Sequence, residues 1–134
     1  MIKTVWCITL CVSNLEKSKR FYEEILGLEK KYEYSSYVGF ECGGIEIGLI
    51  PKFFEERKKA NLIGPSIEFL VNDVDKFHDR LKREGVTFIK ELHEEPWGGR
   101  QATFTDLDGN ILEIVQIEWE KYFNISARGA KKKT

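Results

Sequence analysis

The feature that most constrains this chain is that one order of strands, caps and stops runs through it twice. In residues 6–13, Ile8, Leu10 and Val12 alternate with Cys7, Thr9, Cys11 and Ser13, the period-two pattern of a half-buried strand. Asn14 is placed to cap a helix starting near Leu15, whose stripe Leu15, Phe21, Tyr22, Ile25 and Leu26 ends at Gly27. Short strands over 29–34, 37–42 and 45–50 follow, and Pro51 closes the unit. About 59 positions on, Ile67, Phe69 and Val71 alternate with Ser66, Glu68, Leu70 and Asn72. Asp73 then caps a helix carrying Val74, Phe77 and Leu81 up to Gly85. Strands over 86–92, 101–106 and 111–117 complete the second pass, the last entered through the turn Asp108-Gly109-Asn110.

A duplicated β-α-β-β-β unit decides the fold class, which is α+β. Each copy is a short sheet with a helix on one face, and its other face is left open to enclose a cavity with the second copy. The spacing predicts a single domain: module one about 5–51, a charged connector over 52–64 with a possible helix, module two about 65–117, and an extension over 118–134. In that extension Trp119, Tyr122 and Phe123 fall on one face of a short helix. Arg128 to Thr134, with Lys131-Lys132-Lys133, reads as a solvated tail.

Composition narrows the function classes. A chain of 134 residues with 42% hydrophobic and 32% charged residues is ordinary globular protein. Its formal net charge of −1 supplies no field for nucleic acid or an anionic membrane. The start Met1-Ile2-Lys3-Thr4-Val5-Trp6 lacks the pattern of a signal peptide and no apolar run reaches membrane-spanning length, so a cytoplasmic location is expected. Three cysteines without Cys-x-x-Cys spacing indicate free thiols. On one strand Cys7 and Cys11 would lie roughly 13 Å apart, too far to bond.

The strand Ile8 to Ser13 running into Asn14-Leu15, the signals Phe21-Tyr22 and Leu26-Gly27-Leu28, and Asp106-Leu107-Asp108-Gly109-Asn110 before Leu112-Glu113 resemble the vicinal oxygen chelate superfamily. That superfamily includes glyoxalases, bleomycin-resistance proteins and extradiol dioxygenases. The resemblance spans about residues 5–117. It implies paired modules forming a concave mixed sheet with helices outside, a pocket inside, and a homodimer. In metal-dependent relatives one ligand stands near the start of the first strand of each module and one on its last strand. Carried over by position these are Cys7, Glu46, Ser66 and Glu113. The sequence departs from the family pattern at Cys7 and Ser66, where His or Gln is expected. Cysteine is a poor donor for Mg²⁺ or Mn²⁺, although zinc accepts Cys with two Glu, and Ser66 is a weak ligand. Any metal would be one divalent ion, Zn, Mn, Ni or Fe; the favoured reading holds none.

Without a cation, Glu46 and Glu113 facing one cavity would repel, and one would hold its proton above the ordinary range, as a general acid or base needs. Glu68, on the parity of Ser66, is placed to join them. Arg100 offers a fork for a glutamate or an anionic ligand group, and Trp97 before Gly98-Gly99 offers an aromatic edge for a planar ligand. His78 falls on the outer helix and reads as structural; His93 is the imidazole nearest the expected pocket. The expected function is binding of a small organic molecule in the cavity between modules. The alternative is a metal-dependent lyase, isomerase or dioxygenase using Glu46 and Glu113 as ligands, and a third reading is a module whose open face is filled by its own side chains. Exposed Trp6, Phe53, Phe54 and Trp119 would support a homodimer.

Overall fold

The computed structural model describes residues 1–62 and 64–124. Eight strands form two four-stranded sheets, ordered β1-β4-β3-β2 and β5-β8-β7-β6. The strands are β1 (Cys7–Cys11), β2 (Glu29–Tyr34), β3 (Tyr37–Cys42), β4 (Ile45–Ile50), β5 (Ile67–Leu70), β6 (Phe88–Glu94), β7 (Gly99–Thr105) and β8 (Ile111–Ile117). Helices α1 (Leu15–Arg20), α2 (Phe54–Lys59) and α3 (Val74–Arg83) connect them, and residues 119–124 form a further helical stretch. Each sheet is mixed, its first strand parallel to its last and the remaining pairs antiparallel. The α+β class and the repeated order read from the sequence are those observed. The chain divides into two compact units, Met1–Pro65 with Asp106–Asn110, and Ser66–Thr105 with the chain from Ile111 onward.

In the first unit, alternation sends Leu10, Val38, Phe40, Ile47 and Leu49 to the face covered by α1, each at most 2% exposed. Each such side chain removed from water contributes roughly 1.5–3 kcal/mol. The Asn14 carboxamide caps α1 by accepting the Lys17 N–H at 3.0 Å. Beyond Arg20 the helix widens to a π turn over Phe21–Ile25, closed by Leu26 N–H on the Phe21 carbonyl at 3.0 Å, and both Phe21 and Tyr22 are buried in the core. The Tyr22 hydroxyl donates to Asp106 at 2.7 Å. Asp106 also accepts the Asn110 side-chain amide and two backbone N–H groups, so this buried acid is fully partnered. The Asp106–Asn110 turn, legible as the entrance to the last strand, thus belongs to the core of the first unit.

The second unit repeats the logic with Asp73 capping α3 on the Lys76 N–H at 3.0 Å. Val74 and Leu81 of α3 and Ala102, Phe104, Leu112 and Ile114 of the sheet are at most 1% exposed. The β6–β7 hairpin starts and ends about two residues from the expected bounds, because a tight turn closes on Glu95 N–H to Gly99 O at 2.7 Å and Gly98 N–H to Glu95 O at 3.1 Å. The connector contains α2, with Phe53 in the left-handed region at φ 67° just before it. The tail expected over 128–134 lies outside the described residues. No helix among the described residues is long and apolar enough to cross a membrane.

Candidate functional site

Each unit carries a carboxylate cluster on the sheet face turned away from its helix. In the first unit Glu46 pairs in register with Cys7 on one side and Glu41 on the other. Although charged, it is only 5% exposed. The Tyr32 hydroxyl donates to both its oxygens, at 2.6 and 2.8 Å, and the Tyr37 hydroxyl donates to Oε2. Lys31 Nζ lies 3.3 Å from Oε1. Lys31 reaches it because β2 breaks register between Lys30 and Tyr32, so that Lys31 is an extra residue opposite β3. Hydrogen bonds from Tyr32 first and Tyr37 second hold the Glu46 carboxyl below the ordinary range. The same bond pushes the Tyr32 phenol up to about 12, and burial, with Cys7 and Glu46 adding to it, raises Tyr37. Cys7 Sγ completes the group, 3.5 Å from the Tyr37 hydroxyl and 3.9 Å from Glu46 Oε2.

Two glycines make the space. Gly39 and Gly48 face each other across β3 and β4. A Cβ on Gly48 would stand 2.2 Å from the Tyr37 hydroxyl oxygen, and one on Gly39 would stand 3.1 Å from the Glu46 carboxyl carbon and 3.2 Å from the Tyr32 ring. Any side chain at Gly48 would have to displace Tyr37. The rings of Tyr32 and Tyr37 stack at 6.1 Å, with Tyr34 5.5 Å beyond Tyr32.

In the second unit Glu113 stands opposite Glu68 on β5 and opposite Thr103 on β7. Its Oε1 accepts from Gln101 Nε2 at 2.9 Å and Thr103 Oγ1 at 3.1 Å. The bond between the two carboxyls, with burial adding to it, raises Glu68 above the ordinary range. His93 is in register with Gln101 on this face, its ring held by Glu95 at 2.9 Å and by the Glu91 carbonyl at 2.9 Å.

Several expectations need correction. Across from Glu113 in register stands Glu68, as Cys7 stands across from Glu46, while Ser66 lies just ahead of β5. The first strands keep the offset of the helix caps, Val12 N–H bonding Ile50 O as Val71 N–H bonds Val115 O, but Glu113 stands two residues further along its strand than Glu46, which keeps the facing and changes the partner. The expected rise in a carboxyl's proton affinity falls on Glu68, against Glu113, while Glu46 moves the other way because hydroxyl and ammonium donors surround it. Arg100 points to the helix side, opposite in parity to Gln101 and Thr103, and forms a two-pronged pair with Asp75 at 2.8 and 3.1 Å. There it borders a cleft of about 410 Å³ with Gln116, Ile117, Glu118 and Lys121. Trp97 lies across Gly99, whose Cβ would stand 2.4 Å from the indole, and packs edge-on against Tyr122 at 6.1 Å. His78 binds Glu91 at 2.8 Å and packs on Phe88, the structural role expected of it. Tyr32, Tyr37, Lys31, Gln101 and Thr103 were not signalled by the sequence. The signal that could have found the tyrosines is the alternation of Tyr32 with Tyr34 in β2 and of Tyr37 with Gly39 in β3, which puts each pair on one face.

The donor set tests the metal reading. Both Glu46 oxygens are occupied by two phenols and an ammonium, and its strand neighbour is a thiol. Among the described residues no three His, Cys, Asp or Glu side chains are grouped to hold a metal ion. As arranged, Glu46 and Cys7 do not fit a metal site, and no step is derived through one.

The paired β-α-β-β-β units define the class of protein. The family model described as Glyoxalase/Bleomycin resistance protein/Dioxygenase superfamily matches residues 5–114, and the chain belongs to that superfamily. It is 32% identical over 116 residues to metallothiol transferase FosB of Staphylococcus haemolyticus, covering 85% of this chain and 84% of that protein. Among solved structures it is similar to the fosfomycin resistance protein FosX of Listeria monocytogenes, with TM-score 0.73, 26% identity and coverage of 91% and 99%. It is also similar to TnmS3, an antibiotic binding protein of Streptomyces sp. CB03234, with TM-score 0.70, 29% identity and coverage of 87% and 98%.

Proposed function

We propose that this protein binds a small organic molecule without needing a cation, through the tyrosine-lined face of its first unit. The observation that carries this reading is the Glu46 carboxylate, kept ionised and occupied by Tyr32, Tyr37 and Lys31. Tyr32 and Tyr34, 36% and 65% exposed, present aromatic surface on which a planar ligand stacks. The likeness to a protein described as antibiotic binding supports the same class of ligand. The competing reading, a metal-dependent lyase, isomerase or dioxygenase with Glu46 and Glu113 as ligands, draws support from the likeness to a metallothiol transferase.

Thermal melts of protein purified without chelator separate the two. With Zn²⁺, Mn²⁺, Ni²⁺ or Fe²⁺ added, and with EDTA, the parent should melt at one temperature, while planar aromatic compounds should raise it and quench tyrosine fluorescence. A gain of many degrees from one metal, lost in both Glu46→Gln and Glu113→Gln, would establish the metalloenzyme instead. We also infer a homodimer, because Trp6, Phe53 and Trp119 are 77%, 56% and 47% exposed in the chain. A solution mass of 15.6 kDa at every concentration would remove that inference.

A further inference from the structure

Beyond the tyrosine face, we propose that the second unit holds a recognition site for a primary ammonium group, formed by Glu68, Glu113 and Gln101. On this face acceptors outnumber donors. Glu68 and Glu113 stand directly opposite each other in register, and among the described residues neither makes an ion pair with a lysine or arginine. Besides the bond the two carboxyls make to each other, the neutral donors present, Gln101 Nε2 and Thr103 Oγ1, both serve Glu113 Oε1. Gln101 is 9% exposed, and among the described residues its buried Oε1 has no hydrogen-bond partner, an unfavourable condition for a buried acceptor. Its amide orientation follows from Glu113, since turning it over would set oxygen against carboxylate oxygen. The result is a buried acceptor on the side chain that already binds Glu113, next to two carboxyls.

The neighbours do not supply the missing donor. Lys90 is in register with Thr103 but pairs with neither carboxyl, and both ring nitrogens of His93 are taken by Glu95 and the Glu91 carbonyl. The Gln101 oxygen and the two carboxyls offer acceptors for the three N–H groups of a primary ammonium, and the pair of carboxyls favours its charge. Leu70 follows Glu68 on the same strand parity and is 58% exposed, which gives an apolar surface beside the head group. The ligand class is therefore a small primary amine carrying a short apolar body.

The test uses benzylammonium chloride on the full chain at pH 7. The side-chain amide of Gln101 is followed by ¹⁵N NMR and identified by its loss in Gln101→Leu. Benzylammonium should shift this amide saturably, whereas benzyl alcohol, which lacks the charge, and benzyltrimethylammonium, which lacks the N–H groups, should not. Glu68→Gln, at an exposed position that the fold tolerates, should weaken binding roughly tenfold or more, the expected loss for one charge-assisted hydrogen bond. The inference is overturned if benzylammonium leaves the amide unmoved up to tens of millimolar, if either control binds equally, or if Glu68→Gln binds like the parent. It is also overturned if Ca²⁺ shifts the amide and benzylammonium does not, which would make this an oxygen-ligand cation site. Each readout is local to the second unit, so its failure is distinct from failure of the tyrosine-face reading.

Discussion

Glu46 and Glu113 occupy matching places, each flanked by Ile or Leu in the last strand of its unit, yet their surroundings are opposite in character. Glu46 is ringed by donors, two phenols and an ammonium, and is buried as an anion. Glu113 faces a second carboxyl and has two neutral donors on one oxygen only. Duplication supplied the same backbone position twice, and the strands alongside decided what each carboxylate does. A bulge delivers Lys31 and paired glycines admit two tyrosines in one unit, whereas Glu68 and Gln101 fill the corresponding faces in the other. The first cluster has its acceptors filled, and the second is short of donors.

The comparison is broken most directly at Gly48. Gly48→Ala puts a methyl where the Tyr37 hydroxyl stands, and should destabilise by about 3 kcal/mol, the upper end of overpacking costs. Denaturant unfolding measures it, and a cost near zero would show that Tyr37 moves freely. Next in size, Glu46→Gln replaces an ion with a neutral amide that presents N–H to groups that are themselves donors, at about 2 kcal/mol. Because Glu46 is held below its ordinary value of 4.5, its contribution is present above that pH and is lost as pH falls through the lowered value. The gap between parent and mutant should therefore close in acid, and a gap constant from pH 7 to pH 3 contradicts this account.

Tyr37→Phe, which removes one donor and keeps the ring, should cost about 1 kcal/mol. It should also lift the Glu46 carboxyl toward its ordinary range, a shift read from the ¹³C chemical shift of that side chain. The smallest effect sharpens the contrast. Glu68 is raised, so its contribution is present in acid below the ordinary value and is lost as pH rises through the raised value. Glu68→Gln should then leave stability at pH 7 unchanged or slightly improved, with the parent regaining ground only in acid. A clear loss at pH 7 would mean that Glu68 is not opposed by Glu113.

By itself the sequence determined the fold and its symmetry. Period-two runs at Ile8 to Val12 and Ile67 to Val71, caps at Asn14 and Asp73 and a stop at Gly27 are local signals, each set by backbone and side-chain geometry within a few residues. It also singled out Glu46, Glu68 and Glu113, because strand parity assigns a residue to a face without reference to any neighbour. Which residue stands across from which was decided by the tertiary structure alone. Register between β1 and β4, or β5 and β8, joins residues about 39 to 45 positions apart, and a slip of two residues leaves every facing intact while exchanging partners. That is why Glu68 rather than Ser66 stands across from Glu113. The bulge at Lys31, the tyrosines over Gly39 and Gly48, and the turn of Arg100 toward Asp75 depend likewise on side chains from other strands and a helix. The charge state of a buried carboxyl is fixed by whichever donors the folded strands bring within hydrogen-bonding distance, and no local pattern along the chain encodes that distance.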